Sequence, residues 1–235
     1  MVVATKLPCF DNLAEMLAKL GVAARRIRLT PPPGKATEKD VIAIHDRTKR
    51  LYELVDGVLV EKIMSFPESA LTCDLIKLLG YFLDKTPLGF LTGPDGAVRL
   101  MPGLVRIPDI SFIAWDQLPK RERPTDAIAG LAPALAVEVL SKGNTRKEMD
   151  RKVREYFQCG VRLVWLVALT SRTVQVYTAP DKSTTLTEDQ TLDGRDVLPG
   201  LALPLRQVFA EVPAPPKSAG RRGKPGKPRR SNGTA

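Results

Sequence analysis

The chain has 235 residues, 43% of them hydrophobic and 26% charged, with a formal net charge of +10 at pH 7, which suits one substantial core and gives no sign of a second globular unit. No stretch approaches the roughly 18 uninterrupted apolar residues of a membrane span, and MVVATKLPCF lacks the features of a signal peptide, so a soluble cytoplasmic protein is expected. Three scattered cysteines, Cys9, Cys73 and Cys159, read as reduced thiols, and a single histidine, His45, excludes histidine-cluster metal sites.

The first element is a short helix. Asp11 or Asn12 can cap it, Leu13, Leu17 and Leu20 recur at helical spacing, and Gly21 can end it. The proline run Pro31 to Pro33 then separates this segment from the main domain, and His45, within HDRTKR, reads as a solvated loop residue. In LYELVDGVLVEKIM, two strand-like runs flank Asp56-Gly57, the signature of a type I′ hairpin. From Pro67 to about Leu83, Leu71, Leu75, Leu78, Leu79 and Phe82 mark the buried stripe of a helix. Strand signals follow in GFLTG, AVRLMPG, LVRIPDISFIAW and, beyond a charged loop, ALAVEVLS. A helix over about Thr145 to Cys159 stops at Gly160, and RLVWLVAL and TVQVYT supply two more strands.

This order predicts an α/β or α+β domain with helices packed on a mixed sheet. Residues 1–48 form an N-terminal helix and proline-rich lead-in, 49–211 the domain, and 212–235 a basic tail. The tail carries seven basic residues and no acid, leaving about +3 for the rest of the chain. Its composition predicts disorder, and it reads either as a gatherer of phosphates or as a solubilising end.

Two acids stand where acids are costly. Asp109 lies among Ile107, Ile110, Phe112 and Ile113, and Glu138 lies among Leu135, Val137, Val139 and Leu140. Strand alternation lets them converge if their strands are neighbours, and a shared Mg²⁺, which takes few protein ligands and keeps waters and phosphate oxygens, would account for both. A phosphodiesterase also needs a cation to offset charge on the phosphate. The natural place is two residues beyond Glu138, on the same strand face, where Leu140 stands. At 100° per residue, Lys152 falls beside Tyr156 on the edge of the helix's apolar arc, whereas Lys147, Arg151 and Arg154 point away. A lysine whose stem covers apolar surface while its amine reaches water is the plain alternative for Lys152. A scaffold in which hydrogen bonds satisfy both acids is the plain alternative for the pair.

YELVDGVLVE, RIPDIS, AVEVLS, the helix with Asp150, Lys152 and Glu155-Tyr156, GVRLVWLV and DVLPG together resemble the bacterial putative restriction-endonuclease family of PD-(D/E)XK fold, over about residues 50 to 210. The resemblance implies a central mixed sheet flanked by helices, a Mg²⁺-dependent nuclease site and frequent homodimers; Mn²⁺ is the expected substitute for the metal. It makes Asp109 the motif aspartate, Glu138 the motif glutamate and Lys152 a relocated motif lysine, with the Val139 carbonyl completing the protein's metal ligands. A further acid is expected near the start of the domain, with Glu53 the first choice and Glu68 the second. The implied activity is hydrolysis of nucleic-acid phosphodiesters, with DNA the expected partner. The rival is a catalytically idle nucleic-acid-binding protein that keeps the fold.

Overall fold

The computed structural model describes residues 10–210; the basic tail expected from Val212 onward lies outside the described residues. Helix α1 (Leu13–Leu20) begins where the Asn12 side chain accepts the Glu15 N–H and ends at Gly21 in the left-handed region, as its sequence signals indicate. A 3-10 turn leads into β1 (Ile27–Arg28), and the chain then forms α2 (Glu38–Thr48), β2 (Tyr52–Val55) and β3 (Val58–Glu61). Helix α3 (Phe66–Lys85) is followed by β4 (Gly89–Thr92), β5 (Val98–Met101), β6 (Leu104–Arg106), β7 (Ile110–Ala114) and β8 (Leu135–Leu140). The remainder is α4 (Arg146–Gln158), β9 (Leu163–Ala168), β10 (Thr173–Ala179), β11 (Lys182–Thr187), β12 (Thr191–Gly194), β13 (Leu198–Pro204) and α5 (Leu205–Val208).

The α+β architecture contains the mixed sheet that the sequence implies, in six strands ordered β11-β10-β9-β8-β7-β4. Only the β8–β9 pair is parallel, because α4 lies between those strands in the chain and returns it to the same end. A second, five-stranded antiparallel sheet, β1-β3-β2-β6-β5, stands beside it, and β12 and β13 form a separate ribbon.

Strand alternation divides the six-stranded sheet into two faces. On one, Leu71, Leu75 and Leu79 of α3 pack in a common core with Ile110, Phe112, Val137, Val139 and Trp165. On the other, Met149, Val153 and Tyr156 of α4 pack with Ala136, Val164 and Leu166. The five-stranded sheet is likewise covered on both sides, by Val41 and Ile44 of α2 and by Met16 and Leu20 of α1.

Helix α2 occupies part of the segment that reads as a proline-rich lead-in, and it carries His45, so that residue is helical and half-buried and not on a loop. The Asp40 carboxylate accepts the Thr37 N–H at 2.8 Å and organises the first turn. The helix is mostly polar, and its two buried anchors, Val41 and Ile44, acquire meaning only against Tyr52, Leu54 and Leu59. From the same lead-in, β1 pairs with β3 through Ile27 and Val60.

The β2–β3 turn fixes the rest of this segment. Asp56 and Gly57 both have positive φ, as a type I′ turn requires. The Gly57 carbonyl accepts the Gly34 and Ala36 N–H groups at 2.8 and 3.0 Å. A Cβ on Gly57 would stand 2.6 Å from the Gly34 carbonyl carbon. Gly57→Ala should therefore lower unfolding free energy by about 1–3 kcal/mol, read as an earlier urea midpoint at unchanged slope.

Candidate active site

The chain crosses from one sheet to the other over three residues, leaving β6 at Arg106 and entering β7 at Ile110. The Pro-Asp pair lies on this crossing. The Asp109 N–H donates to the Val137 carbonyl at 2.9 Å, continuing the β7–β8 ladder one step beyond Ile110 and Val137 and placing Asp109 beside Glu138. One oxygen of Asp109, Oδ2, accepts the Val139 N–H at 2.6 Å, which fixes the Val139 main chain against the carboxylate. The two acids expected to converge do so, 4% and 5% exposed, but only Glu138 comes from a strand; Asp109, expected within one, lies on the crossing just before β7.

Glu138 points to the α4 side of its strand, the side opposite Val137 and Val139. There it meets Lys152, whose Nζ stands 3.0 Å from both carboxylate oxygens, and the Tyr156 hydroxyl, which donates to Oε1. Lys152 is thus turned inward, as its place on the helical arc predicts, and its ammonium is itself buried. Its remaining neighbour is Glu53 of β2, with Oε1 at 2.9 Å. Glu53 also accepts the Ile107 N–H at 3.2 Å and, through Oε2, pairs with Arg106 at 2.7 Å. Arg106 continues to Glu155 of α4, which in turn holds Arg151, itself paired with Asp56. On the other flank, Lys62 lies 2.8 Å from Asp109 Oδ1 and donates to the Ile107 carbonyl.

Buried charges of one sign alone would be prohibitive, and here each carboxylate has a cation or hydrogen-bond donor. Burial pushes the Glu53 carboxyl up, but Lys152 and Arg106 outweigh it and hold the group well below the usual carboxylate range. For Glu138, burial prevails over the pull of Lys152, and the neighbouring Asp109 charge adds to the rise, so this carboxyl lies above its ordinary value. Burial alone would lower Lys152; Glu138 and Glu53 reverse that and keep the ammonium charged. Burial and the Glu138 charge drive the Tyr156 hydroxyl well above its usual range, leaving it a hydrogen-bond donor.

Asp109, Glu138, Val139, Lys62 and Lys152 line a common cavity of about 20 Å³, room for about one water or one ion. Glu68, at the first turn of α3, reaches the same wall, and its Oε2 is buried without a hydrogen-bond partner. The two choices for a further acid therefore separate: Glu53 holds Lys152, and Glu68 faces the cavity. Arg26, Ser141 and Asn144 line both this cavity and a groove of about 790 Å³, to which Arg25 and Lys142 add positive charge. Arg26 is fixed by Glu148 at 2.8 Å.

The chain matches the model of the Uma2 family, described as "Putative restriction endonuclease", over residues 37–206. It belongs to that family. Its fold is similar to the crystal structure of a putative nuclease of the DUF820 family from Anabaena variabilis, with a TM-score of 0.61 and 18% identity. The similarity covers 69% of this chain and 92% of that one. No curated protein matches the sequence. The mixed α+β fold, a sheet flanked by helices, that the family resemblance implies is thereby shown for this Uma2 member.

Lys62 and Arg106 have no role in the sequence reading. The signal for Arg106 is the one that exposes the acids, a charge inside an apolar run, VRIPDI. Lys62 lies just past the end of β3, where a lysine is unremarkable, and only the folded chain brings it to Asp109.

The depressed Glu53 carboxyl carries a pH signature. A group with its pKa lowered by folding contributes stability above its unfolded value of about 4.3, and that contribution fades as pH falls below it. Glu53→Gln should flatten the acid limb of the stability–pH curve below about pH 5 and reduce stability at neutral pH, measured by urea unfolding across pH.

Proposed function

We propose that this Uma2-family protein is a Mg²⁺-dependent endonuclease that hydrolyses phosphodiester bonds in DNA. The observation that carries the reading is the pair Asp109 and Glu138, brought from the β6–β7 crossing and from β8 to one cavity and already faced by cations. Structural salt bridges alone do not call for two acids side by side at the edge of a groove with basic residues on its wall.

The residues fit a Mg²⁺ ion. Asp109 and Glu138 offer hard anionic oxygens on a cavity of ionic size, and the ammonium groups of Lys62 and Lys152 stand against those same oxygens. Among the described residues no group of three or more His, Cys, Asp and Glu side chains is arranged to hold a metal, so the set is two carboxylates with the Val139 carbonyl and water, in keeping with the few protein ligands this ion takes. When bound, Mg²⁺ supplies charge to the scissile phosphate and acidity to a water; Mn²⁺, with the same taste for oxygen, can replace it.

The chain's own groups then have separable tasks. Asp109, held by the Val139 N–H, and Glu138, held by the Tyr156 hydroxyl, present their oxygens in fixed directions. Lys152 balances the buried carboxylates of Glu138 and Glu53, so that the acids can approach each other. Arg25 and Lys142 draw the phosphate backbone into the groove, and the basic residues beyond Val212 add to that attraction. Hydrolysis adds the water's hydroxyl to phosphorus and its proton to the leaving oxygen, giving a phosphate monoester and a free hydroxyl. The histidine-poor sequence is no obstacle, since none of these tasks uses an imidazole.

Supercoiled plasmid and single-stranded DNA incubated with Mg²⁺, Mn²⁺ or EDTA test the reading. Cleavage should require the divalent ion. Asp109→Asn and Glu138→Gln, which keep side-chain shape, should each lower it by about a thousandfold or more while the far-ultraviolet spectrum stays native. DNA binding without cleavage in either metal would favour the idle binding protein, a reading to which Leu140, in place of a cation two residues after Glu138, lends weight.

A further inference from the structure

Two lysines stand at the cavity, and their surroundings are unequal. An ammonium has three N–H donors. Lys152 spends its contacts on Glu53 Oε1 and on both oxygens of Glu138. With 3% of the residue exposed and its contacts already committed, it could turn to an incoming group only by giving up both Glu53 and Glu138.

Lys62 is built differently. Its ammonium touches Asp109 Oδ1 and the Ile107 carbonyl, which leaves one donor without a partner among the described residues. It projects from the chain just beyond β3, and the next residue, Ile63, lines both the cavity and the groove. Asp109 would not be abandoned by its departure, because the Val139 N–H still donates to Oδ2. The four-carbon stem gives a lysine the reach and rotational freedom for such a change of partner.

We infer that Lys62 is the catalytic cation of this site: its ammonium, paired here with Asp109, turns to a non-bridging oxygen of the scissile phosphate once that carboxylate is committed to a metal. This rests on the nuclease reading above. Lys62 makes and breaks no bond and passes no proton; it neutralises charge that grows on the phosphate oxygens in the transition state. Lys152, by contrast, is a positioning residue that holds Glu138 and Glu53 in register. Position 140, where Leu140 stands, needs no cation, because one arrives from the end of β3.

The inference predicts opposite effects of one substitution on metal binding and on chemistry. In Lys62→Met the competitor for Asp109 is gone, so Mn²⁺ alone, titrated calorimetrically without DNA, should bind about tenfold more tightly, and saturating Mn²⁺ should raise the thermal midpoint more than in the wild type. Single-turnover cleavage at saturating Mn²⁺ should nevertheless fall by on the order of a hundredfold, with Lys62→Arg recovering part of the loss. A lysine that merely supports the fold would weaken metal binding on removal. Wild-type cleavage rates in Lys62→Met, or weaker Mn²⁺ binding by both Lys62 variants, would overturn the assignment while leaving the nuclease reading in place. Failure of the wild-type protein to cleave DNA with either metal would overturn the nuclease reading itself, and this inference with it.

Discussion

The Lys152 ammonium, held between Glu53 and Glu138, is the contact on which the arrangement of this molecule turns. Glu53 belongs to the five-stranded sheet, Glu138 to the six-stranded sheet and Lys152 to the helix that packs against the latter. One charged group therefore joins three elements that apolar contacts alone would only press together. Hydrophobic burial has no direction, whereas an ammonium between two carboxylates fixes how sheets and helix are set against each other. Arg106 repeats the device one layer over, between Glu53 and Glu155. A cluster of this kind need not add net stability against well-packed apolar residues, but loss of one member leaves the others buried and uncompensated.

The crossing from β6 to β7 is the covalent counterpart of that bridge. Within it Arg106 binds Glu53 and Glu155, Ile107 offers its N–H to Glu53 and its carbonyl to Lys62, and Asp109 binds Lys62 and Val139. Proline between Ile107 and Asp109 holds the backbone extended and donates no hydrogen bond, so the neighbours' main-chain groups do that work. The acids are thus carried by strands and a three-residue connection, not by a long loop, which limits their freedom before any ligand arrives.

Much of this was legible from the residues because the informative signal is local: a charge in an apolar run. Asp109 and Glu138 stand out that way, the hairpin follows from Asp56-Gly57, and the inward turn of Lys152 follows from counting around α4. Pairing between distant segments is not local. Nothing in the periodicity of VEKIM or VRIPD says that Lys62 and Arg106 meet acids, and nothing in LYELV says that its strand joins a second sheet. Helix α2 escaped for a related reason, since two apolar anchors on a charged segment are too weak a pattern without the sheet they cover. No local pattern separates the roles of Glu53 and Glu68; one faces Lys152 and the other the cavity only because β2 and α3 approach from different sides.

Strand β8 carries two kinds of information on its two sides. Val137 and Val139 answer to the α3 core, while Ala136 and Glu138 answer to α4 and the charged cluster. The side chains of the first set can change in volume, with α3 adjusting, without moving a charged group on the second. The strand insulates selection on packing from selection on chemistry, so a lineage could drift through many core sequences while one glutamate stayed in place. The same alternation forbids the smallest change of length: a single residue inserted before Glu138 would exchange the two sides and bury the carboxylate in hydrocarbon.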